Sequence, residues 1–230
     1  MGEMIEFARP DGRRAPGYYT QSQPAAANAA GVVMLEEWWG LTDHIKATAD
    51  RLAGAGFRVL VPDLFRGRTA AIGDEANHLA QGLDFEDAAD QDARGAAQYL
   101  KSTGSTKVGV IGFCMGGALA MLATMQVSEF DAAVVYYGHT SPEAGDPGMI
   151  QIPIQGHWAV HDEFFKIERV DDIERRLKEG GVPLEFYRYD AKHGFHNPNE
   201  VGNAGLGHYN ESYAKLSWQR TVDFFKKYLK

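Results

Sequence analysis

The sequence predicts an α/β fold in which a mostly parallel central sheet carries helices on both faces. Short β-rich runs alternate with segments of helical period, the sequence form of repeated βαβ units. Most of those runs are continuously apolar instead of alternating, as expected of parallel strands buried on both sides. A chain of 230 residues with 44% hydrophobic content is long enough for one substantial core, so a single domain over 1–230 is expected.

In chain order, the expected strands are Met4–Ala8, Gly17–Gln21, Val32–Leu35, Arg58–Val61, Lys107–Ile111, Ala132–Tyr137, Ile152–Gln155 and Leu184–Tyr189. Pro10-Asp11-Gly12 is a turn sequence that joins the first two as an antiparallel hairpin. Helical faces follow at Ile45, Ala49, Leu52; at Ala89, Ala93, Ala96, Leu100; and at Ala118, Met121, Leu122, Met125. Two more lie at Ile167, Val170, Ile173, Leu177 and at Trp218, Val222, Phe225, Leu229. Each spaces apolar residues by three or four and so offers one side to a sheet. The stretch 67–82 is less patterned and follows a strand at the end where such folds build their sites, which suggests a cap over a pocket.

Composition excludes several classes of function. The net charge is -8, and no dense run of Lys or Arg could track a phosphate backbone, so nucleic acid is not an expected partner. Apolar runs such as Val108–Ile111 fall far short of the roughly 20 residues that span a bilayer. Residues Met1–Pro10 alternate charge and apolarity, unlike a secretory leader. A lone cysteine allows no internal disulfide, and the reducing cytoplasm is the expected compartment.

The segment Lys107–Gly117 reads K-V-G-V-I-G-F-C-M-G-G. An apolar strand runs into Gly112-Phe113-Cys114-Met115-Gly116 and then into a helical face. A G-x-nucleophile-x-G turn between strand and helix strains the central residue, and the flanking glycines remove Cβ clashes at the bend. Cys114 is thereby presented above the sheet, with the helix N-terminus favouring a thiolate and a developing oxyanion. The Met115 N–H is the natural oxyanion donor.

This elbow resembles that of the α/β-hydrolase fold, in which an acid and then a histidine follow the nucleophile, each after a later strand. After Leu184–Tyr189, His193 stands where the general base belongs; His196 competes, and Gly194 beside His193 lets that loop turn tightly. After Ile152–Gln155, Asp162 is the better orienter and adjacent Glu163 the alternative. His157 and His161, four apart, could suggest a metal pair, but no third ligand is evident, so no metal and no cofactor is expected.

Four segments together resemble the dienelactone hydrolase (carboxymethylenebutenolidase) family over nearly the full length. They are Leu35-Glu36-Glu37-Trp38-Trp39-Gly40, Val61-Pro62-Asp63-Leu64-Phe65, Gly112-Phe113-Cys114-Met115-Gly116-Gly117, and Asp162-Glu163-Phe164-Phe165 with Lys192-His193-Gly194-Phe195. The resemblance implies catalytic roles for Cys114, Asp162 and His193. It also implies that Glu37 contacts the resting thiol and takes its proton when substrate binds, and that the Trp38 N–H is a second oxyanion donor.

Family members that cleave an anionic dienelactone hold its carboxylate with two arginines. Here the matching positions are His196-Asn197 and the arginine-free stretch Asn77–Gly82. Arg66 and Arg68 are the remaining candidate cations, and Trp39, Phe65, Tyr137 and Trp158 join Trp38 as candidate pocket walls. The expected partner is a small ester or lactone. A general carboxylesterase or thioesterase, or a binding protein that kept the fold, are the rival readings.

Overall fold

The computed structural model describes residues 2–22, 29–199 and 208–230. One eight-stranded sheet organises them, in the order β1-β2-β4-β3-β5-β6-β7-β8. The strands are β1 (Glu3–Ala8), β2 (Arg14–Gln21), β3 (Gly31–Leu35), β4 (Arg58–Pro62), β5 (Val108–Phe113), β6 (Ala132–Tyr136), β7 (Ile154–Ala159) and β8 (Leu184–Tyr189). As expected, β1 and β2 form an antiparallel hairpin, and β3 to β8 run parallel to one another. The hairpin joins the sheet through antiparallel pairing of β2 with β4.

The helices are α1 (Asp43–Gly54), α2 (Gly73–Gln81), α3 (Phe85–Asp87), α4 (Arg94–Ser102), α5 (Met115–Gln126), α6 (Ile167–Glu179) and α7 (Glu211–Tyr228). Close approach of glycines shows that they cover both faces. A Cβ on Gly31 would meet Leu100 of α4 at 3.0 Å, and one on Gly109 would meet Phe225 of α7 at 2.7 Å. Gly31 pairs with Val108, the chain neighbour of Gly109. Successive strand residues point to opposite faces, so α4 and α7 lie on opposite sides. The core strands β3, β4, β5 and β6 are buried at every position.

Three elements differ from the expectation. β7 begins after Pro153 and runs to Ala159 instead of ending at Gln155, because its polar residues are satisfied inside the protein. His157, fully buried, bonds Tyr189 Oη at 2.8 Å, Gln155 Oε1 at 2.9 Å and Thr221 Oγ1 at 3.2 Å. The helical face expected from Ala89 to Leu100 is interrupted by a π-helical turn at Ala88–Ala93 before α4. The segment suggested as a cap holds α2, whose Ala76 and Leu79 are buried.

Candidate active site

Register aligns the site along one sheet edge. Leu35 pairs with Gly112 and Phe113 with Tyr136, so Glu37, Cys114 and Tyr137 all lie just past the carboxyl ends of adjacent strands. Ala159 pairs with Tyr189, which sets the loops carrying Asp162 and His193 side by side at that same end.

Cys114 occupies the bend between β5 and α5 with φ 55° and ψ -118°, a conformation that L-residues rarely adopt. The bend is tight because three glycines permit it. A Cβ on Gly112 would lie 1.9 Å from the Gly116 carbonyl oxygen, one on Gly116 would lie 2.3 Å from that of Leu35, and one on Gly138 would lie 2.0 Å from that of Cys114 itself. The first two belong to the elbow motif; Gly138, from the loop after β6, lies outside it. Met115 is the first residue of α5, so its N–H has no acceptor within the helix.

Cys114 Sγ lies 3.1 Å from His193 Nε2, and His193 Nδ1 lies 2.8 Å from Asp162 Oδ2. The other Asp162 oxygen accepts the N–H groups of Phe164 at 2.8 Å and Phe165 at 2.9 Å, which fixes the carboxylate. All three side chains are buried. Burial alone would lower the His193 pKa. The charge at Cys114 and the hydrogen bond to Asp162 outweigh it and hold the imidazole well above its ordinary range. Phe165 stacks on the ring at 5.7 Å, and Phe164 and Tyr137 meet it edge-on, each at 5.1 Å.

Glu37 is 1% exposed. Its carboxylate accepts from Asn197 Nδ2 at 2.6 Å and from Tyr137 Oη at 3.3 Å. Tyr137 itself has φ 34°, a second strained residue beside the cysteine. Asn197, standing where the resemblance would put a carboxylate-binding arginine, thus tethers Glu37. No local sequence signal marks that pairing, because the two residues are 160 positions apart.

The competing candidates lie elsewhere. His196 is sealed between Phe113 at 5.4 Å and Trp218 at 5.7 Å, and burial, with His44 and Arg51 nearby, pushes its pKa down to about 3. Glu163 is exposed. His157 belongs to the core network above, while His161 pairs with Asp190 at the surface at 2.7 Å. Among the described residues no cluster of three or more His, Cys, Asp or Glu has metal-binding geometry. No described helix is long and apolar enough to cross a membrane.

A pocket of about 460 Å³ opens over Cys114. It is lined by Trp38, Phe164, Phe165 and His193, by Met115, Ala118 and Leu122 of α5, and by His139 to Ser141 and Ala144 from the segment after β6; His139 meets Phe165 edge-on at 5.2 Å. Ala80 of α2 and Phe85 and Glu86 of α3 complete the lining. Several expected walls are placed differently. Trp39, Phe65, Tyr137 and Trp158 are buried and do not line the pocket. Arg66 turns away to fork onto Asp92 at 2.8 and 2.9 Å, and Arg68 lines a separate surface depression with Asp74 and Glu75. Position after a strand end was the signal for both arginines, but Arg66 is engaged by Asp92 of the π-helical turn and Arg68 lies beside α2 in the other depression, so neither lines the pocket.

The sheet order, the strained cysteine elbow and the two loops beyond β7 and β8 define an α/β-hydrolase. A profile of the dienelactone hydrolase family matches residues 17–229. Protein usf of Aquifex pyrophilus is 33% identical over the whole of both chains. A carboxymethylenebutenolidase of Rhodococcus opacus is 29% identical, covering 93% of this chain and 87% of its own. A solved structure of a dienelactone hydrolase-like promiscuous phosphotriesterase from metagenomic libraries superposes with TM-score 0.84 at 24% identity, covering 100% and 99% of the two chains. The chain belongs to the dienelactone hydrolase family, and it is a hydrolase.

Proposed function

We propose that this protein hydrolyses a carboxylic ester or enol-lactone through an acyl-enzyme on Cys114. The observation that carries the reading is the unbroken line from Cys114 Sγ through His193 to Asp162 at 3.1 and 2.8 Å, at the base of an apolar pocket. A raised imidazole pKa beside a thiol favours a thiolate–imidazolium pair, the form in which sulfur is nucleophilic.

In this mechanism the Cys114 thiolate attacks the carbonyl carbon, and the N–H groups of Met115 and Trp38 hold the resulting oxyanion. Collapse breaks the carbon–oxygen bond while His193 donates its proton to the departing oxygen. For a lactone that oxygen stays attached through the ring-opened chain. Neutral His193 then takes a proton from water, the hydroxide attacks the thioester, and the acid leaves as the thiolate–imidazolium pair reforms. Asp162 keeps Nε2 directed at sulfur throughout.

Glu37, held by Asn197 and Tyr137, shifts the balance between this ion pair and the neutral thiol in the free enzyme. A thiolate exposed without substrate is open to oxidation, so such control is useful. That chemistry also suits a reducing, intracellular compartment. Residues 73–86 serve as the cap.

Mass spectrometry after brief exposure to a panel of activated esters tests the proposal. An acyl adduct is expected on the peptide containing Cys114, with its decay matching turnover. Turnover without any adduct on Cys114, even in acid-quenched samples, overturns it.

A further inference from the structure

The lining of the pocket divides by chemistry around the reacting atoms. We infer that it has a leaving-group side under Phe164 and Phe165 and an acyl side along α5, and that the acyl side takes an uncharged aliphatic or aryl chain whose length is limited by Leu122. This rests on the cysteine acyl-enzyme reading above.

The assignment follows from where each bond must lie. A departing oxygen has to come within hydrogen-bond reach of His193 Nε2, and Phe164 and Phe165 flank that ring at 5.1 and 5.7 Å. The carbonyl oxygen must face the Met115 N–H at the head of α5. The remaining substituent therefore extends away from both, along the helix face formed by Met115, Ala118 and Leu122. Their spacing of three and four places them on one side of α5. Leu122 stands seven residues beyond Met115, roughly 10 Å along the axis at the usual helical rise. Ala118 leaves room between them, and Leu122, 3% exposed, is the lining residue of α5 farthest along the helix from Cys114.

Among the described residues, the walls of this arm hold no Lys or Arg. Thr140 on the facing loop directs its hydroxyl to Met121 Sδ at 3.6 Å. Burial, the largest influence on His139, lowers its pKa. Arg169 of α6, which acts on His139 electrostatically, holds Asp172 at 2.6 Å and does not line the pocket. The sequence of 23–28 and 200–207 contains no Lys or Arg. Exposed Glu86 adds negative charge at the rim. A carboxylate on the acyl chain would meet the His139 ring and the Thr140 and Ser141 hydroxyls but no Lys or Arg of the described lining, so its desolvation is costly.

The test uses p-nitrophenyl esters from acetate to decanoate, the matched pair p-nitrophenyl valerate and p-nitrophenyl hemiglutarate, and butyrate esters of alcohols from methanol to hexanol. Wild type, Leu122→Ala, Leu122→Phe, Leu122→Met and Phe164→Ala are compared, with circular dichroism to verify folding. In wild type, kcat/KM is expected to rise about fourfold per methylene until the chain meets Leu122, and to favour valerate over hemiglutarate at least tenfold. Leu122→Ala should move the optimum to longer acyl chains and Leu122→Phe to shorter ones, both leaving the alcohol series unchanged. Leu122→Met, which conserves volume, guards against loss of folding in the other two and should keep the wild-type optimum. Phe164→Ala should shift only the alcohol series. Equal or better use of hemiglutarate, or Leu122 variants that shift the alcohol series instead, would overturn the assignment while leaving the cysteine mechanism standing. Failure of every ester to acylate Cys114 would overturn the mechanism itself and the assignment with it.

Discussion

Glu36 and Glu37 are neighbours at the end of β3, yet they enter two different buried charge systems. The Glu37 carboxylate is hydrogen-bonded by Asn197 and by Tyr137, whose ring meets His193. Glu36, 0% exposed, turns toward β4, where it accepts the Leu64 N–H at 3.2 Å. Burial and the nearby charge of Asp63 raise its pKa well above the usual carboxylate range. Beyond it lies a closed set of ions, in which Asp92 is shared by Arg66 at 2.8 Å and Arg9 at 3.4 Å, and Arg9 also holds Asp87 at 2.6 Å. The difference teaches that a charged residue near a strand end is available for chemistry only if its partners leave a bonding direction facing the cavity. On the Glu37 side, Tyr137 carries the contact on to the His193 ring at 5.1 Å; on the Glu36 side, Arg66 and Arg9 both end on aspartates.

The largest expected effect lies at the sulfur. Cys114→Ala should reduce ester turnover by at least roughly three orders of magnitude, since the members of such a line act as a unit. Thermal unfolding should barely change, because Ala fits the elbow. Wild-type turnover by this variant, measured with a fresh chromogenic ester, would remove the cysteine from the mechanism. Asp162→Asn follows, with an expected loss of roughly 10² to 10⁴-fold in kcat/KM, from a misdirected imidazole and a weaker pull on its proton. His193 has a raised folded-state pKa, so its proton is present at low pH and lost as pH rises through that value. Removing one cause of the elevation must lower it, and the alkaline limb of the kcat/KM profile should move to lower pH. An unmoved limb would show that His193 is not the titrating acid.

The paired glutamates test the comparison directly, because one chemical change is made at adjacent positions. Glu37→Gln should lower turnover about tenfold and change the rate at which iodoacetamide alkylates Cys114 in the free enzyme, at little cost in stability. Glu36→Gln should leave both rates alone. A carboxyl group with a raised pKa stabilises the fold at low pH and loses that contribution as pH rises through its folded value. Glu36→Gln, which cannot ionise, should therefore unfold at a higher temperature than wild type on the alkaline side. Equal kinetic effects from the two substitutions would collapse the distinction between the two systems.

How much of this was legible beforehand depends on the range of the interactions. The elbow was legible because strand, glycines, cysteine and helix are contiguous, so its chemistry is local. The parallel sheet was legible from uninterrupted apolar runs, and His193 and Asp162 from their order after later strands. His157 was not, since it reads as a loop residue until Tyr189 of β8 and Thr221 of α7 supply its hydrogen bonds. Asn197 was noticed only as a missing arginine, because its link to Glu37 exists only in three dimensions. Trp38 and Trp39 show the limit at one residue: the first lines the pocket and the second is buried at 3% exposure, and nothing local distinguishes them.

The smallest expected effect, and the sharpest for the comparison, is at Arg66. Its guanidinium meets Asp92 through two hydrogen bonds and the Asp63 carbonyl oxygen at 2.7 Å, while its backbone sits at φ 55°. Asp92 is 1% exposed, so Arg66→Ala leaves a buried carboxylate with Arg9 as its remaining ion-pair partner. Breaking a fully buried pair costs about 3 to 5 kcal/mol. The Arg66 side chain is 38% exposed and screened by water, and Arg9 stays in place, so about 1 to 2 kcal/mol is the better expectation. In a chain of this size that lowers Tm by about 2 to 8 °C. The kinetics should hold still: kcat/KM for a neutral ester, and its ratio to an anionic analogue, should stay within about twofold of wild type, because this cation does not line the pocket. A selective loss of the anionic substrate in Arg66→Ala, with Tm unchanged, would mean that the Asp92 pairing opens in solution and that Arg66 serves the site after all.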